Sequence, residues 1–138
     1  MNHLAEHHPW CRNFPGTRSQ VGEARRFVTG YLADHPDAGT AELVISELAT
    51  NAVRHSHSGQ AGGLFGVTVH AGGGLLLLAV LDEGGPTSPC IQPPDDVRPT
   101  GRGLLLVDEL TTRWGVDGDE CGRTVWALLP LAQRTPAA

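Results

Sequence analysis

The stretch that decides the fold reads Thr40-Ala-Glu-Leu-Val-Ile-Ser-Glu47-Leu-Ala-Thr-Asn51-Ala-Val-Arg-His55. Its apolar residues recur at intervals of three and four, the spacing that gathers side chains on one face of an α-helix. We therefore predict a helix over residues 40–55 whose apolar stripe packs on the core. The stripe consists of Ala41, Val44, Ile45, Leu48, Ala49, Ala52 and Val53.

The polar side of this helix carries a carboxylate and an amide, Glu47 and Asn51. Residues at this spacing project from the same side of a helix, about one turn apart. A carboxylate can act as a general base, and an amide oxygen can ligate a hard cation such as Mg²⁺. Such pairs are also common on solvated helix faces, so the spacing alone leaves both interpretations open.

Upstream of this helix the sequence predicts a strand and a first helix. Residues 1–16 are polar and proline-containing, and we expect a flexible segment that ends in an edge strand near Trp10 to Phe14. Thr17 followed by Gln20 matches a capping box, after which apolar residues repeat at helical spacing. These signals predict a helix from about Arg18 to Ala33.

Downstream, two strands are predicted at Leu64 to His70 and Leu75 to Asp82, joined by a turn of glycines. The second strand is apolar on both faces, which is typical of a central strand. Residues 83–100 contain five prolines and cannot continue a strand or helix. We expect this segment to form a lid.

The rest of the chain predicts a helical segment from Leu104 to Leu110 and a closing hairpin built from Trp114 to Val116 and Arg123 to Leu129. This order predicts an α/β protein of the α+β two-layer sandwich type, with a mixed or antiparallel sheet covered by helices on one face. Residues 17–131 are expected to form a single domain, and 132–138 a disordered tail.

Composition excludes several functional classes. The chain of 138 residues contains no lysine, which rules out the Walker phosphate loop and the common protein-kinase fold. A net charge of −5 argues against a nucleic-acid partner. The longest apolar run, Leu75 to Leu81, is too short to span a membrane, so we expect a cytoplasmic protein. Three cysteines at wide spacing predict reduced thiols rather than disulfides.

Histidines offer an alternative metal site, either at His3, His7 and His8 or at His55 with His57. No cysteine or carboxylate completes a tetrahedral set at a recognisable spacing. We therefore favour the interpretation that His55 borders a ligand pocket.

Three further motifs follow the helix in order. Asp82 ends the central strand and is followed by Gly84, a glycine-flanked segment over 100–104 precedes the third predicted helix, and Thr124 lies in the last strand. Glycines before a helix let backbone N–H groups approach phosphate, and the helix dipole adds to that attraction. Each feature also has an ordinary structural explanation, as a turn carboxylate, a loop or a β-branched strand residue.

Taken together, these motifs resemble the signature of GHKL ATPases, which have the Bergerat fold. The resemblance covers about Gln20 to Leu129. It matches the N box to residues 47–55, the G1 box to Asp82 and Gly84, the G2 box to residues 100–104, and the family's last strand to Gly122-Arg-Thr124-Val-Trp126.

The resemblance implies roles for the central polar residues in binding ATP and Mg²⁺. Asn51 would hold the Mg²⁺ ion, and Glu47 would be the catalytic base. Asp82 would accept a hydrogen bond from the exocyclic amine of adenine, where guanine presents a carbonyl oxygen instead. Thr124 would assist Asp82, through water.

It also implies how the surrounding residues meet ATP. Gly84 would stand where a side chain collides with the purine, while Pro86 replaces the second glycine of the G1 box. Arg54 and His55 would border the nucleotide, and either Arg98 or Arg102 would neutralise the γ-phosphate. The phosphates would be held by Thr100, Gly101, Arg102, Gly103 and Leu104.

Within the class, the short chain resembles the serine kinases that act as bacterial anti-sigma factors. The resemblance implies Mg-ATP-dependent phosphorylation of a serine in a STAS-type antagonist, binding of a sigma factor, and a homodimer formed through the first strand and helix. Two alternatives stay open: a non-catalytic module that responds to ATP, and a small α/β domain unrelated to nucleotides.

Overall fold

Five strands and three helices are found in residues 8–85 and 99–132, which this computed structural model describes, except for the side chains of 99–103. In chain order they are β1 (Trp10–Pro15), α1 (Arg18–Leu32), α2 (Ala38–His55), β2 (Leu64–Gly72), β3 (Leu75–Asp82), α3 (Pro99–Leu110), β4 (Arg113–Asp119) and β5 (Gly122–Pro130). A short 3₁₀ turn, His57–Gly59, follows α2.

The strands form one sheet in the order β1-β2-β3-β5-β4, and every neighbouring pair is antiparallel. The apolar strand β3 is therefore central and β1 lies at an edge, as predicted. Gly73 and Gly74 close the β2–β3 hairpin with φ angles of 60° and 76°, in the left-handed region that glycine adopts without a steric penalty.

The helices cover one face of the sheet, and the other face is open. Alternate residues of β2, β3 and β5, such as Val69, Leu78 and Ala127, are fully buried beneath the helices. On the open face, Leu75 and Leu81 of β3 are 39% and 55% exposed. The α+β two-layer sandwich is therefore confirmed, and the apolar stripe predicted for α2 lies in its core.

The capping box expected at the start of α1 does not form. Thr17 is the N-cap residue but makes no side-chain capping bond, and its Oγ1 lies 3.2 Å from Ser19 Oγ instead. The helix still begins at Arg18 because its apolar side packs on the core. It ends at Leu32, since Ala33 turns into the left-handed region with φ of 54°.

The third helix begins at Pro99, five residues before the predicted start at Leu104. The segment 100–103 thus lies in the first turns of α3 rather than before it. Proline suits the first helical position because its ring presets φ and its missing N–H has no partner there. Residues 1–7, 86–98 and 133–138, with most of the predicted lid and the tail, lie outside the described residues.

No helix in the described part of the chain has the length and apolarity needed to cross a membrane.

Candidate active site

The amide of Asn51 lies on α2 and is 7% exposed, and its Nδ2 has no hydrogen-bond partner among the described residues. Buried polar atoms in native proteins nearly always have a partner, and leaving one without costs about 1–3 kcal/mol. An amide kept in this condition is typical of a residue that contacts a ligand rather than the protein.

Glu47 lies one turn before Asn51 and is half-buried. Burial raises the pKa of the Glu47 carboxyl, and the positive charge of Arg54 acts in the opposite direction but more weakly. A carboxylate with a raised pKa is a stronger base than a solvated one. The helix therefore places a carboxylate with a raised pKa one turn from an amide whose Nδ2 has no partner among the described residues.

Asp82 ends β3 with its side chain on the helix-covered face, where it is 4% exposed. Its Oδ1 accepts two hydrogen bonds, from the Gly84 N–H at 2.7 Å and from Arg123 Nε at 3.3 Å. Its Oδ2 accepts none from the described residues. One oxygen of the carboxylate is thus held by the protein, and the other has lone pairs to offer.

Arg123 was not among the residues predicted for the site. It faces Asp82 across the β3–β5 ladder, and the two form an ion pair with both side chains buried. Its Nη2 also donates to the carbonyl oxygen of His55 at 3.4 Å. Arg123 therefore connects the end of β3 with the last turn of α2, the helix that carries Asn51.

The strand register separates Thr124 from Asp82, which it was predicted to assist through water. Successive residues of a strand point to opposite faces, and Arg123 occupies the face shared with Asp82. Thr124 lies on the open face, between Leu81 of β3 and Asp117 of β4 in the ladder. Thr124 is one residue further along β5 than Arg123, and it therefore points away from the helix-covered face.

Gly84 occupies a turn that only glycine fits. Its φ is 78°, and a Cβ at this position would collide with the carbonyl oxygen of Glu120 and lie 2.9 Å from the Gly122 nitrogen. The sequence predicted that a side chain at position 84 would collide with the purine. In the structure, the β4–β5 turn itself leaves no room for a side chain there. Through its N–H, Gly84 also orients Asp82.

His55 and Arg54 end α2, and both are exposed. Burial lowers the pKa of His55, and the charges of Arg54 and Arg123 lower it further. Arg54 is exposed and lines a groove of about 280 Å³ between α1 and α2, together with Arg18 and Arg25. The His55 backbone is thus joined to Asp82 through Arg123, while the charge of Arg54 acts on both Glu47 and His55.

The remaining predicted residues are described only in part. Thr100, Gly101, Arg102 and Gly103 belong to the first turns of α3, and the side chain of Leu104 is buried. Arg98 and Pro86 lie outside the described residues, as do His3 and His7. Within the described ranges, no three His, Cys, Asp or Glu side chains gather where they could hold a metal ion.

Comparison with known proteins places this arrangement in a family. Residues 14–129 match the family model of the histidine kinase-like ATPase domain. The chain belongs to this family. The match spans every element from the end of β1 to β5, and the GHKL resemblance read from the motifs is therefore confirmed, with the Bergerat-type fold.

A solved structure has a similar fold. It contains the RsbU and RsbW domains of Rv1364c from Mycobacterium tuberculosis, with a TM-score of 0.66 and 22% sequence identity. The similarity covers 91% of the present chain but 32% of that protein's chain, so the present chain corresponds to about a third of it. No curated protein sequence matches.

Proposed function

We propose that this chain is an ATP-binding regulatory protein that phosphorylates a serine of a STAS-type antagonist and binds a sigma factor. One observation carries the proposal: the buried Nδ2 of the Asn51 amide has no partner among the described residues, and Asn51 lies one turn from Glu47, whose pKa is raised. Membership of an ATPase-domain family supplies the class of ligand that would use this pair.

Described residues offer groups that suit each end of Mg-ATP. Asp82 offers Oδ2 as an acceptor for the exocyclic amine of adenine, and its other oxygen is already held by Gly84 and Arg123. The Asn51 amide can turn its oxygen towards a cation, which prefers oxygen ligands. The first turn of α3 presents backbone N–H groups, the usual partners of phosphate at a helix N-terminus.

Bound Mg-ATP would supply the phosphoryl group and the positive charge that neutralises it. Glu47 would accept the proton of the serine hydroxyl as its oxygen bonds to the γ-phosphorus and the bond to the β-phosphate oxygen breaks. Burial of Glu47 helps this step, because a raised pKa brings the carboxylate closer to the basicity that proton transfer requires.

The choice of partner rests on the resemblance to anti-sigma-factor serine kinases noted in the sequence. We place the protein in the cytoplasm as a homodimer in contact with these partners. A pull-down from native lysate with and without Mg-ATP would identify them by mass spectrometry.

Phosphate transfer to a STAS partner, followed with radiolabelled ATP, tests the proposal directly. We expect transfer by the wild type and its loss in Glu47→Ala and Asn51→Ala. Transfer at the wild-type rate by either variant would contradict the assigned roles. Binding of Mg-ATP without transfer would support the non-catalytic module, and absence of ATP binding would refute both.

A further inference from the structure

The carboxylate of Asp82 is held asymmetrically. Both described hydrogen bonds reach Oδ1, one from the Gly84 backbone and one from Arg123 Nε, while Oδ2 receives none from the described residues. A carboxylate can rotate about its Cβ–Cγ bond, and two donors on one oxygen restrict that rotation. The geometry therefore determines which oxygen the protein holds and which one it presents.

The guanidinium of Arg123 is itself fixed in place. It is 3% exposed, and its Nη2 donates to the carbonyl oxygen of His55 at the C-terminal end of α2. This end of a helix carries a partial negative charge, which favours a cation beside it. A planar guanidinium that contacts both Asp82 and the His55 carbonyl directs its Nε–H towards Asp82.

We propose that Arg123 is a positioning residue that makes the site selective for a purine with an amine at C6. By holding Oδ1, it directs the lone pairs of Oδ2 to the exocyclic N–H of adenine. The inference rests on the proposed ATP binding and adds to it the residue that sets base selectivity. Arg123 contacts Asp82 and acts on the base through it.

Stability alone does not account for the pair. Withdrawing two charged groups from water opposes their attraction, and replacing a buried ion pair by apolar residues is often neutral or stabilising. The Asp82–Arg123 pair connects β3, β5 and α2 where the ligand would enter. Orientation of Asp82, to which the Gly84 N–H also contributes, is a property that an apolar replacement of Arg123 would not provide.

The test compares two nucleotides by calorimetry: Mg-ATP and Mg-ITP, whose base carries a carbonyl oxygen instead of the amine at C6. We expect the wild type to prefer ATP, and Arg123→Gln to lose about tenfold in ATP affinity while its ITP affinity changes little, because one well-directed hydrogen bond to a charged acceptor is lost. The ratio of the two affinities is the readout, because a general loss of structure lowers both alike.

Arg123→Lys keeps the positive charge and so covers the case in which Arg123→Gln does not fold. Its ammonium cannot reproduce the fixed fork, and we expect the ATP preference to fall by about threefold with the melting temperature nearly unchanged. In an Asp82→Asn background, where the carboxylate is absent, Arg123→Lys should leave the ratio unaltered.

The outcomes separate the two proposals. A wild-type ratio in the folded Arg123 variants would overturn the positioning role and leave ATP binding intact. A wild type that binds neither nucleotide would refute the proposed function itself, whatever the variants do.

Discussion

The backbone N–H of Gly84 donates to Asp82 Oδ1 at 2.7 Å, so the turn after β3 orients the carboxylate that ends it. In Gly84→Ala the new Cβ would collide with the Glu120 carbonyl, and the left-handed φ of 78° adds strain. We expect a loss of about 3 kcal/mol in the free energy of unfolding, from overpacking and backbone strain together, with weaker ATP binding.

Gly74→Ala is the matched control, because Gly74 has a φ of 76° and open space around its missing side chain. It should lose only about 1–2 kcal/mol, the part due to backbone strain. Urea unfolding measures both. Equal losses in the two variants would show that the contact with Glu120 does not matter.

Asn51→Leu tests whether the unpartnered amide serves a ligand. The change removes a buried donor without a partner, so the unliganded variant should be at least as stable as the wild type. Mg-ATP at 100 times its dissociation constant stabilises a protein by about 2.7 kcal/mol, which raises its melting temperature. Asn51→Leu should lose this nucleotide-induced shift in melting temperature. Asn13→Leu makes the same chemical change at an exposed position of β1 and should keep the shift.

Retention of the nucleotide-induced shift by Asn51→Leu would mean that its amide does not bind the ligand. Thermal denaturation with and without Mg-ATP gives the comparison for both variants.

Glu47→Gln should abolish phosphate transfer, keep ATP binding and alter the pH dependence of stability. Because burial raises the folded-state pKa above 4.5, the folded protein holds this proton more tightly than the unfolded chain. The protonated Glu47 carboxyl gives its full contribution to stability below pH 4.5. This contribution is lost as pH rises through the folded-state pKa. The variant should therefore match the wild type at low pH and exceed its stability at neutral pH.

Denaturant unfolding at several pH values checks the stability effect, and a transfer assay checks catalysis. Glu42→Gln, at an exposed position of the same helix, should retain transfer. A Glu47→Gln stability curve parallel to that of the wild type would rule out the assigned desolvation of Glu47.

The parts of the fold that sequence could predict are those with strong periodicity. The apolar stripe of α2 and the two-sided apolarity of β3 specify a buried helix and a central strand, and both lie where expected. The start of α3 was missed because Gly101 and Gly103 are poor helix formers, while Pro99 is compatible with the first position. Local propensity thus gave the wrong boundary.

The site could be predicted wherever a residue's place follows from one element. Asn51 and Glu47 share a helix, and Asp82 ends a strand, so their general positions followed from spacing. The partner of Asp82 could not be predicted from spacing. Its identity depends on the register between β3 and β5, which lie far apart in sequence. A shift of one residue exchanges Arg123 for Thr124 and reverses the face.

Thr124→Val tests that register in solution. The hydroxyl lies on the open face, away from Asp82, so its removal should change neither the affinity for Mg-ATP nor the rate of transfer by more than about twofold. Calorimetry and the transfer assay measure the two quantities. A tenfold loss of ATP affinity would place the hydroxyl beside the base and contradict the observed strand register.

His55 gives the last prediction, a loss of stability on mild acidification. Burial and the charges of Arg54 and Arg123 lower its folded-state pKa below 6.5, so the unfolded chain takes up this proton first. The neutral His55 imidazole gives its full contribution to stability above pH 6.5. This contribution is lost as pH falls through the lowered folded-state pKa. The comparison is made in a Glu47→Gln background, which removes the pH dependence due to that carboxyl. There, His55→Gln should weaken the fall in unfolding free energy between pH 7.5 and 5, a range of about 2.5 units around the ordinary value for histidine. His57→Gln, at an exposed position of the 3₁₀ turn, is the matched control for losing an imidazole. Equal pH dependence with and without His55 would show that neither burial nor the two arginines lower its pKa.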